Sequence, residues 1–246
     1  MDPQPRYSTV LNNSGVACFQ AGDLSSSLNL FREALQATIS GLAPPDHGKG
    51  TSAPSAGSAR AQAFGGLPAQ ESPSCTTEES VNTLHAYTRA INLIPQETAY
   101  AEDNLVNTTI ESSIILFNLA LVYHVKGLEG FDNSSLSMLL KARSLYLKAK
   151  CLLEEAGIPM DQSLGHQPVL DILIMAIHNN LGQSAYHLNE FDDSQSRFRD
   201  LSLYASSLKP ERFAHDPETK ALLEWHKSMF LMNAMTLQPP KLASAA

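Results

Sequence analysis

Three stretches of this chain repeat one arrangement of small and aromatic residues at helical spacing, and that recurrence restricts the fold more than any other feature. The first runs Asn13-Ser14-Gly15, then Phe19, Gly22-Asp23, Ser27, Phe31 and Ala34. The second runs Asn118-Leu119-Ala120, then Tyr123, Gly127, Ala142, Tyr146 and Ala149. The third runs Asn180-Leu181-Gly182, then Tyr186, Asn189, Phe191, Ser194, Phe198 and Leu201. Around these marks apolar residues return every three or four positions, the period of an amphipathic helix. Each stretch is broken in the middle, by Gly22-Asp23, by a polar loop from Glu129 to Ser135, and by Asn189. The pattern predicts an all-α chain of helical hairpins, from Thr9 to about Thr38, from Thr108 to Gly157 and from Pro168 to Ser206. Asp216-Pro217 then opens a last helix lined by Leu222, Trp225, Met229 and Met232, which Pro239-Pro240 ends.

The spacing has a steric basis. A small residue at Gly15, Ala120 or Gly182, facing another at Ser27, Ala142 or Ser194, lets two helices approach closely. The aromatic four residues beyond the second small residue fills the groove between helices. Gly22, Gly127 and Asn189 are placed to take the left-handed conformation that ends a first helix. On these residues each stretch resembles a tetratricopeptide repeat, whose core reads N-L-G-x-x-Y-Y, then G-x, then A-x-x-x-Y/F-x-x-A. The stretches are not set at the regular period of about 34 residues. About seven helices are expected, as a short superhelix or a compact bundle, with the last helix capping the final repeat.

Between hairpins the composition changes. Residues 41–80 are rich in Ser, Gly, Pro and Ala without apolar periodicity, and read as a disordered insertion. Residues 81–107 read as an extended or irregular segment packed on the helices; Thr83 to Ile94 shows no clean face, and an extended strip and a short helix fit it equally. Residues 1–40 and 108–238 form one domain, followed by a tail at 239–246.

The net charge of −8 and scattered Lys and Arg offer no basic stripe for nucleic acid. No uninterrupted apolar run reaches the roughly 18 residues of a membrane helix. Cys18, Cys75 and Cys151 lie far apart and form no CxxC pair, which suggests reduced thiols in the cytoplasm or nucleus. No phosphate-binding, nucleophile-elbow or HExxH motif occurs. No cofactor, metal or catalytic residue is expected, and the chain reads as a non-catalytic protein-interaction scaffold.

The resemblance implies that the first helices line a concave face that holds a peptide or a partner helix. On this chain that face would present Asn12, Val16 and Phe19, then Asn118, Leu121 and His124, then Asn179, Gln183, Tyr186 and His187. A subtype that grips a terminal carboxylate has Lys, Asn, Asn, Lys and Arg where this chain has Asn12, Val16, Asn118, Ala176 and Asn180; only Asn118 matches, and without the three cations no such clamp is expected. Asn118 and Asn180 are expected to bond backbone groups of neighbouring helices. Two alternatives remain open: an all-helical enzyme using His178, Asn179, Asn180 and His187, or a repeat protein whose groove is filled by its own Thr83–Ile94.

Overall fold

The computed structural model describes residues 6–40, 86–93, 104–130, 132–163 and 167–237. Among them the chain is all-helical and contains no strand. Three helix pairs follow in order: α1 (Tyr7–Gln20) with α2 (Leu24–Ser40), α3 (Asn104–Leu128) with α4 (Asn133–Glu155), and α5 (Pro168–His187) with α6 (Phe191–Ser207). A 3-10 turn at Pro210–Phe213 leads to α7 (Pro217–Thr236). The expectations for 41–80, for Cys75 and for the 239–246 tail fall outside the described residues.

Each pair packs on itself, and successive pairs stack through α2 on α3, α4 on α5 and α6 on α7. Among the first helices α3 touches both α1 and α5, and α7 lies against α5. Glycine makes the approach possible in the outer pairs. A Cβ on Gly15 would stand 2.7 Å from the Phe31 ring, and one on Gly182 would stand 2.9 Å from the Phe198 ring. In the middle pair Ala120 and Tyr146 are both fully buried.

The helix ends follow from local chemistry. The Asp23 carboxylate accepts from the Ser26 amide at 3.0 Å, Asp132 from Ser135 at 2.8 Å, and Asp216 from Thr219 at 3.1 Å. Gly22 at φ 81° and Asn189 at φ 60° turn the chain after α1 and α5. Gly127 does not serve that purpose. It lies inside α3, where its missing side chain makes room for Leu139, 2.8 Å from where a Cβ would be. Two boundaries also move. Residues 104–107 are the first turn of α3 rather than irregular chain, and α4 begins at Asn133, inside the polar loop read from Glu129 to Ser135.

The central helix α3 touches α1, α2, α4 and α5. Its stretch Val106–Leu128 is long and apolar enough, by length and composition alone, to cross a membrane, though Asn107, Glu111, Asn118 and Lys126 interrupt it and two thirds of its most apolar window is buried inside the protein. At the other end of that interface Glu111, on α3, accepts from Ser8 and pairs with Arg6 at 3.2 Å, which ties the start of α1 down.

Candidate functional site

Residues 86–93 carry no helix or strand of their own, yet Tyr87, Ala90, Ile91 and Leu93 are buried and Ile91 is fully enclosed. An extended chain shut away from water must find partners for its backbone N–H and C=O groups. Here three asparagine side chains supply them. Asn180 of α5 accepts from the Tyr87 amide at 2.9 Å and donates to the Tyr87 carbonyl at 3.1 Å. Asn118 of α3 accepts from the Ile91 amide and donates to the Ile91 carbonyl, both at 2.8 Å. Asn13 of α1 does the same for Leu93, again with both bonds at 2.8 Å.

A carboxamide presents one acceptor and one donor side by side. It therefore matches the N–H and C=O of a single extended residue, as the opposite residue does in a hydrogen-bonded pair of antiparallel strands. The residues gripped are 87, 91 and 93, an even distance apart, so their polar edges point the same way. Six residues of extended chain span about 20 Å, close to the roughly 16–20 Å of two helix-to-helix steps. The segment thus runs from α5 across α3 to α1, opposite to the order of the helix pairs.

A second layer holds the amides in place. Asn12 donates to the Ile91 carbonyl and to Asn13 Oδ1, each at 3.1 Å, and accepts from Asn118 at 2.9 Å. Asn179 donates to Asn180 Oδ1 at 3.0 Å and accepts from Asn233 of α7 at 3.0 Å. Asn180 also donates to the Tyr146 hydroxyl at 3.0 Å, which lies 3.3 Å from His124 Nδ1. Asn12, Asn118, Asn179 and Asn180 are all completely buried, so this network is fixed by its own partners rather than by water.

The side chains of the segment have their own seats. The Tyr87 ring packs against Phe117 of α3 and against Phe230 and His226 of α7, with centroids 6.3, 5.2 and 5.8 Å away. Its hydroxyl lies 3.2 Å from His226 Nε2, while His226 Nδ1 lies 2.8 Å from the Leu222 carbonyl. That carbonyl only accepts, so Nδ1 carries the proton and Nε2 accepts from Tyr87. The Arg89 guanidinium lies over the Trp225 ring, 4.4 Å from its centre. Thr88 is exposed.

Three buried imidazoles, those of His124, His178 and His226, are held neutral at pH 7. Burial pushes His226 and His178 each down to about 4 and His124 to about 3, with the charge of His187 adding to the effect on His124. Burial also lowers His187. Among the described residues no group of three His, Cys, Asp or Glu is placed to hold a metal ion. Cys18 is half-buried and Cys151 exposed, both as free thiols.

Of the residues expected on the concave face, Asn12 and Asn118 touch the segment backbone and Asn179 braces a residue that does. Val16, Leu121, Gln183 and His124 are buried around them. Phe19 is half-buried, and Tyr186 is exposed, stacked edge-on with His187 and Phe191. Asn118 and Asn180 do bond a backbone, but it is that of the extended segment rather than of a neighbouring helix. Asn13, Asn180, Asn233, His226 and Tyr146 are absent from the set expected on that face. Asn13 was visible in principle, because it holds the same repeat position as Asn118 and Asn180.

No family model, curated protein or solved structure matches this chain.

Proposed function

We propose that this protein is a non-catalytic interaction adaptor of the tetratricopeptide-like kind, whose first-helix face reads extended polypeptide by its main chain. The observation that carries this is the asparagine at one repeat position of α1, α3 and α5, each paired to both polar groups of a single residue. Main-chain reading of that sort does not depend on which side chains the bound strand bears. Segment 86–93 is then a resident ligand held in cis. Covalent attachment to the same chain gives it an effective concentration on the order of millimolar, and an outside peptide has to compete with that.

A second reading is favoured by the burial of Tyr87 and Ile91: the segment completes the core permanently, and partners dock elsewhere. The outer face offers a groove of ≈ 620 Å³ along α4, lined by Leu140, Leu147, Cys151 and Arg143.

The two readings separate in one titration. The probe is a fluorescent peptide with the sequence of residues 84–95, and the receptor is the full chain carrying Tyr87→Ala and Ile91→Ala. The adaptor reading expects saturable binding in the micromolar range, roughly −8 kcal/mol, and none to the unaltered chain at the same concentration. A variant that keeps its helical circular dichroism but binds no peptide rejects it in favour of the permanent core.

A further inference from the structure

We infer that the partner of this groove is an extended polypeptide segment bearing Tyr-x-Arg-small-Ile-x-Leu, read in one chain direction; this rests on the adaptor reading above. The three asparagines give affinity for any extended chain, but the spaces between the rungs are not alike.

At the first position the ring lies among Phe117, Phe230 and His226. The proton on His226 Nδ1 is committed to the Leu222 carbonyl, so Nε2 asks for a donor. Tyrosine meets that need, while phenylalanine would take away the hydroxyl that Nε2 faces at 3.2 Å. At the third position Trp225 offers an aromatic face to a cation, and its α7 neighbour His226 is neutral and does not repel one. The fourth position, Ala90, is 5% exposed and the fifth, Ile91, is 0% exposed, so the fourth has no room for a longer side chain and the fifth takes a full aliphatic one. The seventh, Leu93, is again buried, whereas Thr88 at the second position faces solvent and is free to vary.

Direction is set as well. The tyrosine site lies beside α7 at the α5 end, and the leucine site lies at the α1 end, with the skipped rung between residues 87 and 91. A reversed strand would place its aromatic residue at Asn13, away from His226.

The experiment is a substitution series in the 84–95 peptide against the full-length Tyr87→Ala/Ile91→Ala chain. Tyrosine to phenylalanine is expected to weaken binding about tenfold, the loss of one buried hydrogen bond. Alanine to leucine at the fourth position should cost about 10- to 100-fold from overpacking, and threonine to lysine at the second position should change nothing. Methylating the amide nitrogen of the isoleucine removes the donor to Asn118 and should weaken binding by about tenfold or more. If the methylated peptide fails while all side-chain variants bind alike, the main-chain reading stands and the motif is overturned. If no peptide binds a variant of normal helix content, the adaptor reading itself falls.

A variant that does not fold shifts the measurement to single substitutions in the unaltered full chain, read by hydrogen exchange at the amides of residues 87, 91 and 93. Tyr87→Phe should speed exchange about tenfold and Thr88→Lys should not; equal effects overturn the motif.

Discussion

The two ends of the asparagine ladder are built differently. At the Tyr87 end the gripping residue, Asn180, is fully buried and is held by Asn179 and Tyr146, Asn179 being held in turn by Asn233, while α7 closes over the tyrosine ring. At the Leu93 end Asn13 is half-buried and its brace is a single neighbour, Asn12. The same bidentate contact is therefore worth different amounts, because the cost of breaking it depends on whether water is present to replace the lost partner. The segment is anchored at its N-terminal end and lightly held at its C-terminal end, where peeling would start.

The largest test of that asymmetry is a pair of substitutions. Asn180→Leu leaves the Tyr87 amide and carbonyl buried without partners and should destabilise the protein by about 3–6 kcal/mol, enough to unfold much of a typical domain. Asn13→Leu, with water nearby, should cost about 1 kcal/mol. Urea melts that gave equal losses would dissolve the distinction between the ends.

Acid should act on the anchored end. An unfolded His226 takes up a proton near 6.5, but burial holds the folded group down to about 4. Stability is thus complete above pH 6.5 and falls as the pH drops toward 4. The slope is at most about 1.4 kcal/mol per pH unit for each such histidine. His124 and His178 titrate in the same sense. Replacing His226 by Gln should remove one share of the slope between pH 6.5 and 5, as measured by chemical denaturation; an unchanged slope would detach the histidine from the anchor.

Tyr87→Phe sharpens the comparison further, with an expected loss of about 1–2 kcal/mol from the buried hydrogen bond to His226 Nε2 that it removes. The smallest effect is kinetic. In the unaltered protein the Leu93 amide should exchange with solvent at least severalfold faster than the Tyr87 amide, because local opening begins where fewer buried contacts hold. A reversed order would move the anchor to the other end.

The all-helical character of the chain was legible because the apolar period and the small residues at Gly15, Gly182 and Ala142 act locally. Asn118 and Asn180 stood out for the same reason, since they recur at one repeat position. What they hold was not legible. The segment pairs with side chains instead of another strand, and both Ala90 and Ile91 are buried, so it shows no alternation that would mark a strand. Gly127 misled because a glycine near a helix end serves either as a left-handed stop or as space for a neighbour, and only Leu139 tells which. Asn13 was passed over for Asn12, yet neighbouring positions on one helix both reach the segment here.

The ladder joins residues that a ribosome delivers far apart in time. Tyr87 and Asn180 are separated by 93 positions, and Asn13 and Leu93 by 80. A nascent chain that already holds α1, α2 and the segment has one rung available, gains the second when α3 emerges, and lacks the last until α5 has been made. Closing contacts so remote in the chain is slow, and in the interval the apolar residues of 87–93 have nowhere complete to go. Apolar surface left uncovered in that way is where a partly made chain is most prone to aggregate, so the ladder sets the last point in synthesis at which these side chains can be enclosed.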